Sequence, residues 1–135
     1  MGNLNAFLHP VQGDETREVL ISKRFLGEDG KPAPFKIRAL SQEENARISR
    51  QSMRLVKGGK RGEKELDSEA YANRIIVAAT LEPDFSSEAM CKAYGTMDPT
   101  EVPGKMLYAG EYKRLMDAVM ALSHFDDDLE ESAKN

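Results

Sequence analysis

Between residues 18 and 40 the chain twice alternates apolar and polar positions. In EVLISKRF, Val19, Ile21 and Phe25 oppose Glu18, Ser22 and Arg24; in FKIRAL, Phe35, Ile37 and Ala39 oppose Lys36 and Arg38. A period of two puts such side chains on opposite faces of a half-buried strand. The intervening LGEDGKPAP holds Asp29-Gly30, suited to the positive φ of a tight reversal, and Pro32 and Pro34, which exclude helix. The expectation is a β-hairpin over residues 17–40.

From Ser41 the pattern turns helical. SQEE is a capping box, in which the Ser41 hydroxyl and Glu44 carboxylate satisfy exposed amides of the first turn. The helix it opens is predicted to reach about Val56, with thin apolar content in Ile48, Leu55 and Val56, and so to lie at the surface. KGGKRGEKE follows, and its glycines among charges predict a mobile loop over 57–66. Asp67 can cap a second helix, with Leu66 packed on Tyr71. Tyr71, Ile75, Ala78 and Ala79 share a face that Ala72 and Ile76 widen, which predicts a central buried helix closed by Pro83. Ser86 or Ser87 opens a short helix through Met90 and Tyr94, stopped by Gly95 in the left-handed region. Asp98-Pro99 and Glu101 start another, which Pro103 and Gly104 are expected to keep short.

The last helix is predicted to open near Gly110-Glu111. Tyr112, Leu115, Met116, Val119, Met120 and Leu122 form one broad stripe. Fully burying four of them contributes on the order of 6 to 12 kcal/mol before entropy costs. The helix is therefore either the anchor of the core or a clamp for a partner.

Residues 1–16 show no clear periodicity and read as a flexible arm. Residues 126–135 open with Asp126, Asp127, Asp128, Glu130 and Glu131 and read as an acidic disordered tail. Between them, residues 17–125 are expected to form a single α+β domain: the hairpin, then a small bundle of four to five helices over 42–125. A chain of 135 residues suits one such domain.

Cys91 is the only cysteine, so no internal disulfide forms, and a lone thiol fits a reducing cytoplasm. No basic segment precedes an apolar run at the start, which argues against a secretory signal. The longest apolar run, IIVAATL, is far short of the roughly 20 residues of a membrane span. A net charge of −4 with a pI near 5.3 argues against a dedicated nucleic-acid binder.

No catalytic constellation emerges. His9, His124 and Cys91 have no metal-ligand spacing, and a Cys91–His124 dyad competes with a plainer reading of an apolar filler and a helix-end histidine. Asp126–Asp128 lack the glycine and glutamate of a calcium loop, and GGKRG follows a helix without a phosphate-loop frame. The expectation is no enzyme, no metal and no cofactor.

Two features remain. Arg47, Arg50, Arg54, Lys57, Lys60 and Arg61 form a basic stretch with no acid before Gly62, and the three arginines are spaced to share a helix face. It could grip phosphates or an acidic protein, or be a solvated face; no aromatics interleave to stack bases. Met90, Met97, Met106, Met116 and Met120 crowd the last third of the chain. They either fill an aromatic-poor core or serve a partner surface, Met116 and Met120 being the better interface candidates.

The ordered set RFLGEDGKPAPFKIRALSQEEN, LEPDF, AYGTMDP, KMLYAGEYKRLMDAVMAL and HFDDDLEESAKN resembles the XkdN-like phage tail assembly chaperones, over roughly residues 17–135. Ala109 stands where many relatives are expected to carry proline, and Ser123-His124 where Asn-Gly is expected; neither touches the stripe. The resemblance implies a factor in the cytoplasm of a bacterial host that coats the tape measure protein during tail assembly. It would leave as tube subunits polymerise and be absent from the virion. Tyr112, Leu115, Met116, Val119 and Met120 would then be the partner-binding residues, in a helix-in-groove contact. The rival reading is a nucleic-acid-associated phage protein using the basic 47–61 stretch. Chaperones of this type are often made in two lengths by ribosomal frameshifting. Ala133-Lys134-Asn135 can be encoded as GCA AAA AAC, a slippery run, and an extended form could recruit the major tail tube protein. Self-association is also expected if the acidic tail covers the basic loop of a neighbouring copy rather than its own.

Overall fold

The computed structural model describes residues 2–11 and 15–125; the expected acidic tail lies outside them. Strand β1 (Thr16–Val19) pairs antiparallel with β2 (Phe35–Arg38), Val19 opposite Phe35 and Thr16 opposite Arg38. The connection reverses at Gly30 (φ 77°), where Gly27 and Lys31 bond across the turn. The α+β expectation and its N-terminal hairpin therefore hold. The first strand is shorter than the alternation suggested. Beyond Val19 the chain leaves the sheet: the Ile21 carbonyl accepts from the Arg114 guanidinium, and the Ser22 hydroxyl accepts from the Arg24 amide. Phe25 returns to pack on Phe35, ring centroids 5.9 Å apart.

The cap of α2 (Gln42–Gln51) is the expected box: the Glu44 amide donates to Ser41 Oγ (3.1 Å) and the Ser41 amide to Glu44 Oε1 (3.2 Å). The helix stops before Val56. The Ser52 hydroxyl donates to the Ile48 carbonyl (2.7 Å), and the chain turns out into β3 (Met53–Leu55), an eight-residue turn, and β4 (Lys64–Leu66). Met53 faces Leu66 and Arg54 faces Glu65, so the segment expected as a loop carries the second arm of an antiparallel ribbon. Gly58 and Gly62, at φ 74° and 81°, supply the reversal.

Asp67 caps α3 (Ser68–Ala79) through the Ala70 amide (3.1 Å), and Ile75, Ile76 and Ala79 are buried. The chain then extends as β5 (Thr80–Glu82), which adds to the far edge of β2 and completes a three-stranded sheet in the order β1-β2-β5. Ser87 caps α4 (Glu88–Ala93), and Gly95 at φ 68° ends it. Asp98 caps a 3-10 turn (Pro99–Glu101) that runs directly into α5 (Val102–Met106). Pro103 does not prevent this helix, because in its first turn no amide hydrogen is required. Helix α6 (Ala109–Leu122) follows, its end marked by His124 at φ 66°.

Helix α3 is central, touching α2, the 3-10 turn, α5, α6 and β5, while α6 also crosses β1 and β2. One core results: Ile21, Phe35 and Ile37 from the hairpin region, Ile75 and Ile76 from α3, Phe85, Val102, and Leu115 and Val119 from α6. With no tryptophan, aliphatic branching fills the space.

Candidate functional site

The α6 stripe divides in two. Leu115 and Val119 are wholly buried and Leu122 nearly so, one row facing the core. Tyr112, Met116 and Met120, at successive i+4 steps, stay half-buried along the flank. The Tyr112 hydroxyl donates to Asn73 Oδ1 on α3 (2.7 Å), and burial pushes its pKa up. Of the five residues expected to meet a partner, Leu115 and Val119 thus anchor the core, and only the other three reach the surface.

At the start of α6 sits a cluster that sequence reasoning missed. Glu111, only 7% exposed, accepts from Arg24 Nε (2.9 Å), Arg24 Nη2 (2.5 Å) and the Tyr108 amide (2.8 Å). The Arg24 hydrogen bonds hold its carboxyl at about 2, against the ordinary 4.5, with Ser22 and the Tyr108 amide adding to the effect. Arg24 also donates to the Met106 carbonyl (3.1 Å) and lies over the Tyr108 ring, 4.0 Å from its centroid. The cluster fixes the segment after β1 to α6. The acceptor oxygens of Glu111 are engaged within the chain, while Arg24 and Tyr108 stay exposed along an open groove with Leu20 and Arg114.

The basic stretch does not form one helix face. Arg47 and Arg50 are exposed on α2, but Arg54 lies on β3, where Nε meets Glu65 at 3.2 Å and Nη1 meets Asp67 at 3.8 Å. The expected alignment fails because the helix ends at Gln51. Lys57, Lys60 and Arg61 are exposed in the ribbon's turn.

Cys91 and His124 line different grooves, the thiol facing the Phe85 carbonyl at 3.6 Å. His9 follows α1 (Leu4–Leu8). Among the described residues no group of three or more His, Cys, Asp or Glu is arranged to hold a metal ion, and no helix is long and apolar enough to cross a membrane.

Large apolar side chains are instead left uncovered at the periphery. The arm, expected to lack periodicity, forms α1, and none of that helix's residues is buried. Leu4, Phe7 and Leu8 share one face by i+3 and i+4 spacing and are 65%, 80% and 59% exposed, with Val11 beyond them. The spacing was the available signal, hidden by its shortness. Met53 and Leu55 alternate with Arg54 along β3, and Leu66 pairs with Met53, so the ribbon also has an exposed apolar face.

Comparison with known proteins shows what this chain is similar to. The family described as phage XkdN-like tail assembly chaperone protein matches residues 4–135. The chain is 38% identical to the uncharacterized protein YqbN of Bacillus subtilis, over 96% of this chain and 92% of that protein. It is 35% identical to the phage-like element PBSX protein XkdN of the same organism, over 96% and 93% respectively. The crystal structure of YqbN superposes with a TM-score of 0.72 at 30% identity, covering 90% of this chain and 96% of that one. The chain belongs to the XkdN-like family of phage tail assembly chaperones.

Proposed function

We propose that the protein acts by covering apolar helical surface on the tape measure protein before the tail tube encloses it. Such surface aggregates when left in water, and a helix packing onto it removes the apolar area from solvent without any bond chemistry. The observation that carries this reading is the uncovered stripe of α1, Leu4, Phe7 and Leu8. A five-residue helix is marginal alone in water, so a partner surface stabilises it. The half-buried row Tyr112, Met116 and Met120 on α6 provides a second contact.

In this reading the chaperone acts in the host cytoplasm, leaves as tube subunits polymerise and is absent from the virion. A slippage-extended form recruiting tube protein belongs to the same reading and is tested by the codons for residues 133–135. The binding mode is tested by measuring affinity for the tape measure protein from about 50 to 200 mM salt. Apolar capture gives a nearly constant affinity, whereas phosphate-type contacts would make it fall by orders of magnitude. A steep fall, or no complex at any salt, contradicts the proposal.

A further inference from the structure

Helices α2 and α3 leave an open groove of about 320 Å³ between them. Ile48, Val77 and Ala78 give it an apolar floor, and Arg38, Arg47 and Arg74 stand around it. The three cations differ in what they have left to offer. Arg38 is neutralised by Glu44 at 2.6 Å. Arg74 donates to neutral acceptors, the Gln51 carbonyl (2.5 Å) and Ser52 Oγ (3.3 Å), and no carboxylate among the described residues compensates its charge. The Arg47 side chain is exposed and has no hydrogen bond or ion pair among the described residues.

An apolar floor between two uncompensated guanidinium groups fits a peptide that presents one apolar side chain flanked by carboxylates. Nucleic acid fits less well, because the groove has no aromatic ring on which a base could stack. This chain contains the matching peptide. Residues 126–131 read DDDLEE, with Leu129 among five acids.

The path to the groove favours a second copy over the chain's own segment. The described chain ends at Phe125, in a separate groove beside Gln42 and Asn45. At 100° per residue those two side chains lie on the opposite flank of α2 from Glu44, Arg47 and Gln51, which border the α2–α3 groove. Leu129 lies four residues beyond Phe125, a reach of at most about 14 Å, little more than the diameter of the helix a copy's own segment would have to round. A neighbour's segment is not bound by that length.

We propose that the α2–α3 groove receives residues 126–131 of a second copy, Leu129 on the floor and the flanking carboxylates against Arg47 and Arg74. Copies are thereby joined through two different patches, and the contact requires no tape measure protein.

The test is analytical ultracentrifugation of the full chain across a concentration series, at about 50 mM and about 500 mM salt. Wild type should associate at low salt and dissociate at high salt. Arg47→Glu and Leu129→Asp should each weaken association about tenfold or more, with unchanged circular dichroism. The doubly substituted Asp127→Lys, Asp128→Lys chain should also fail alone. Mixed with Arg47→Glu, it should regain association, because the unaltered segment of the Arg47→Glu chain then meets the unaltered groove of the other variant. A chain that stays monomeric at low salt overturns the proposal. So does association that ignores Arg47→Glu, association that ignores Leu129→Asp, or a mixture that shows no recovery.

Discussion

Arg24 and Glu111 form a bidentate ion pair, Nε to Oε2 at 2.9 Å and Nη2 to Oε1 at 2.5 Å, across 87 positions of sequence. It closes the segment after β1 onto the first turn of α6, where Glu111 also holds the Tyr108 amide. Removing one partner strands the other near the core edge, and a charge left without its partner is costly. Arg24→Gln should therefore lower the urea midpoint with an unchanged slope, and should speed amide exchange in the first turn of α6. Unaltered exchange at those amides would show that the pair does not hold the helix start.

Glu111 and Glu44 give stability a defined pH dependence. Arg24 holds the first and Arg38 the second at about 2, below the ordinary 4.5. A carboxyl whose folded value is depressed binds fewer protons folded than unfolded, so its contribution is full above 4.5 and is lost as pH falls toward 2. Urea midpoints should be flat near neutrality and fall across that acidic window. In Arg24→Gln the fall should be shallower, because one of the two depressed carboxyls returns toward its ordinary value.

The two rows of α6 should respond differently to truncation. Leu115 is wholly buried, so Leu115→Ala removes core atoms and leaves a cavity, costing about 2 to 5 kcal/mol. Met120 is half-buried, and Met120→Ala should cost clearly less in denaturant unfolding. Equal costs would mean that the flank is as much part of the core as the buried row.

Local chemistry was readable from the sequence wherever a cap or a turn fixed it. Ser41 with Glu44, Asp67, Ser87, Gly95 and the Asp29-Gly30 reversal all stand where the residues imply. Failures came where tertiary contacts decide. Leu55 and Val56 extend the helical spacing from Ile48, yet the Ser52 hydroxyl takes the Ile48 carbonyl and β4 offers a strand partner. Thr80 and Leu81 read as the end of an apolar helix, but the free edge of β2 draws them into the sheet. The Arg24–Glu111 pair could not be seen, since nothing local relates positions so far apart. The stripe of α6 was legible, but its spacing could not say which row faces inward. At its end, the left-handed φ of His124 explains why Asn-Gly would suit this position, as glycine takes that conformation without strain.

The basic stretch should be dispensable for capture of the tape measure protein. Arg54 is committed to exposed Glu65 and half-buried Asp67, and with its own side chain exposed such a pair is worth at most about 1 kcal/mol. Replacing Arg47, Arg50 and Arg54 together by Gln should leave solubilisation of the tape measure protein mostly intact in co-expression. Its loss would assign the binding role to charge.

The most direct measurement is the soluble fraction of the tape measure protein co-expressed with wild type or with the Phe7→Asp, Leu8→Asp double variant. Neither side chain is buried, so the variant should unfold within about 0.5 kcal/mol of wild type. The account predicts that wild type keeps the tape measure protein soluble and co-purifies with it, while the folded double variant does neither. Equal solubility with both proteins, or none with wild type, would contradict it.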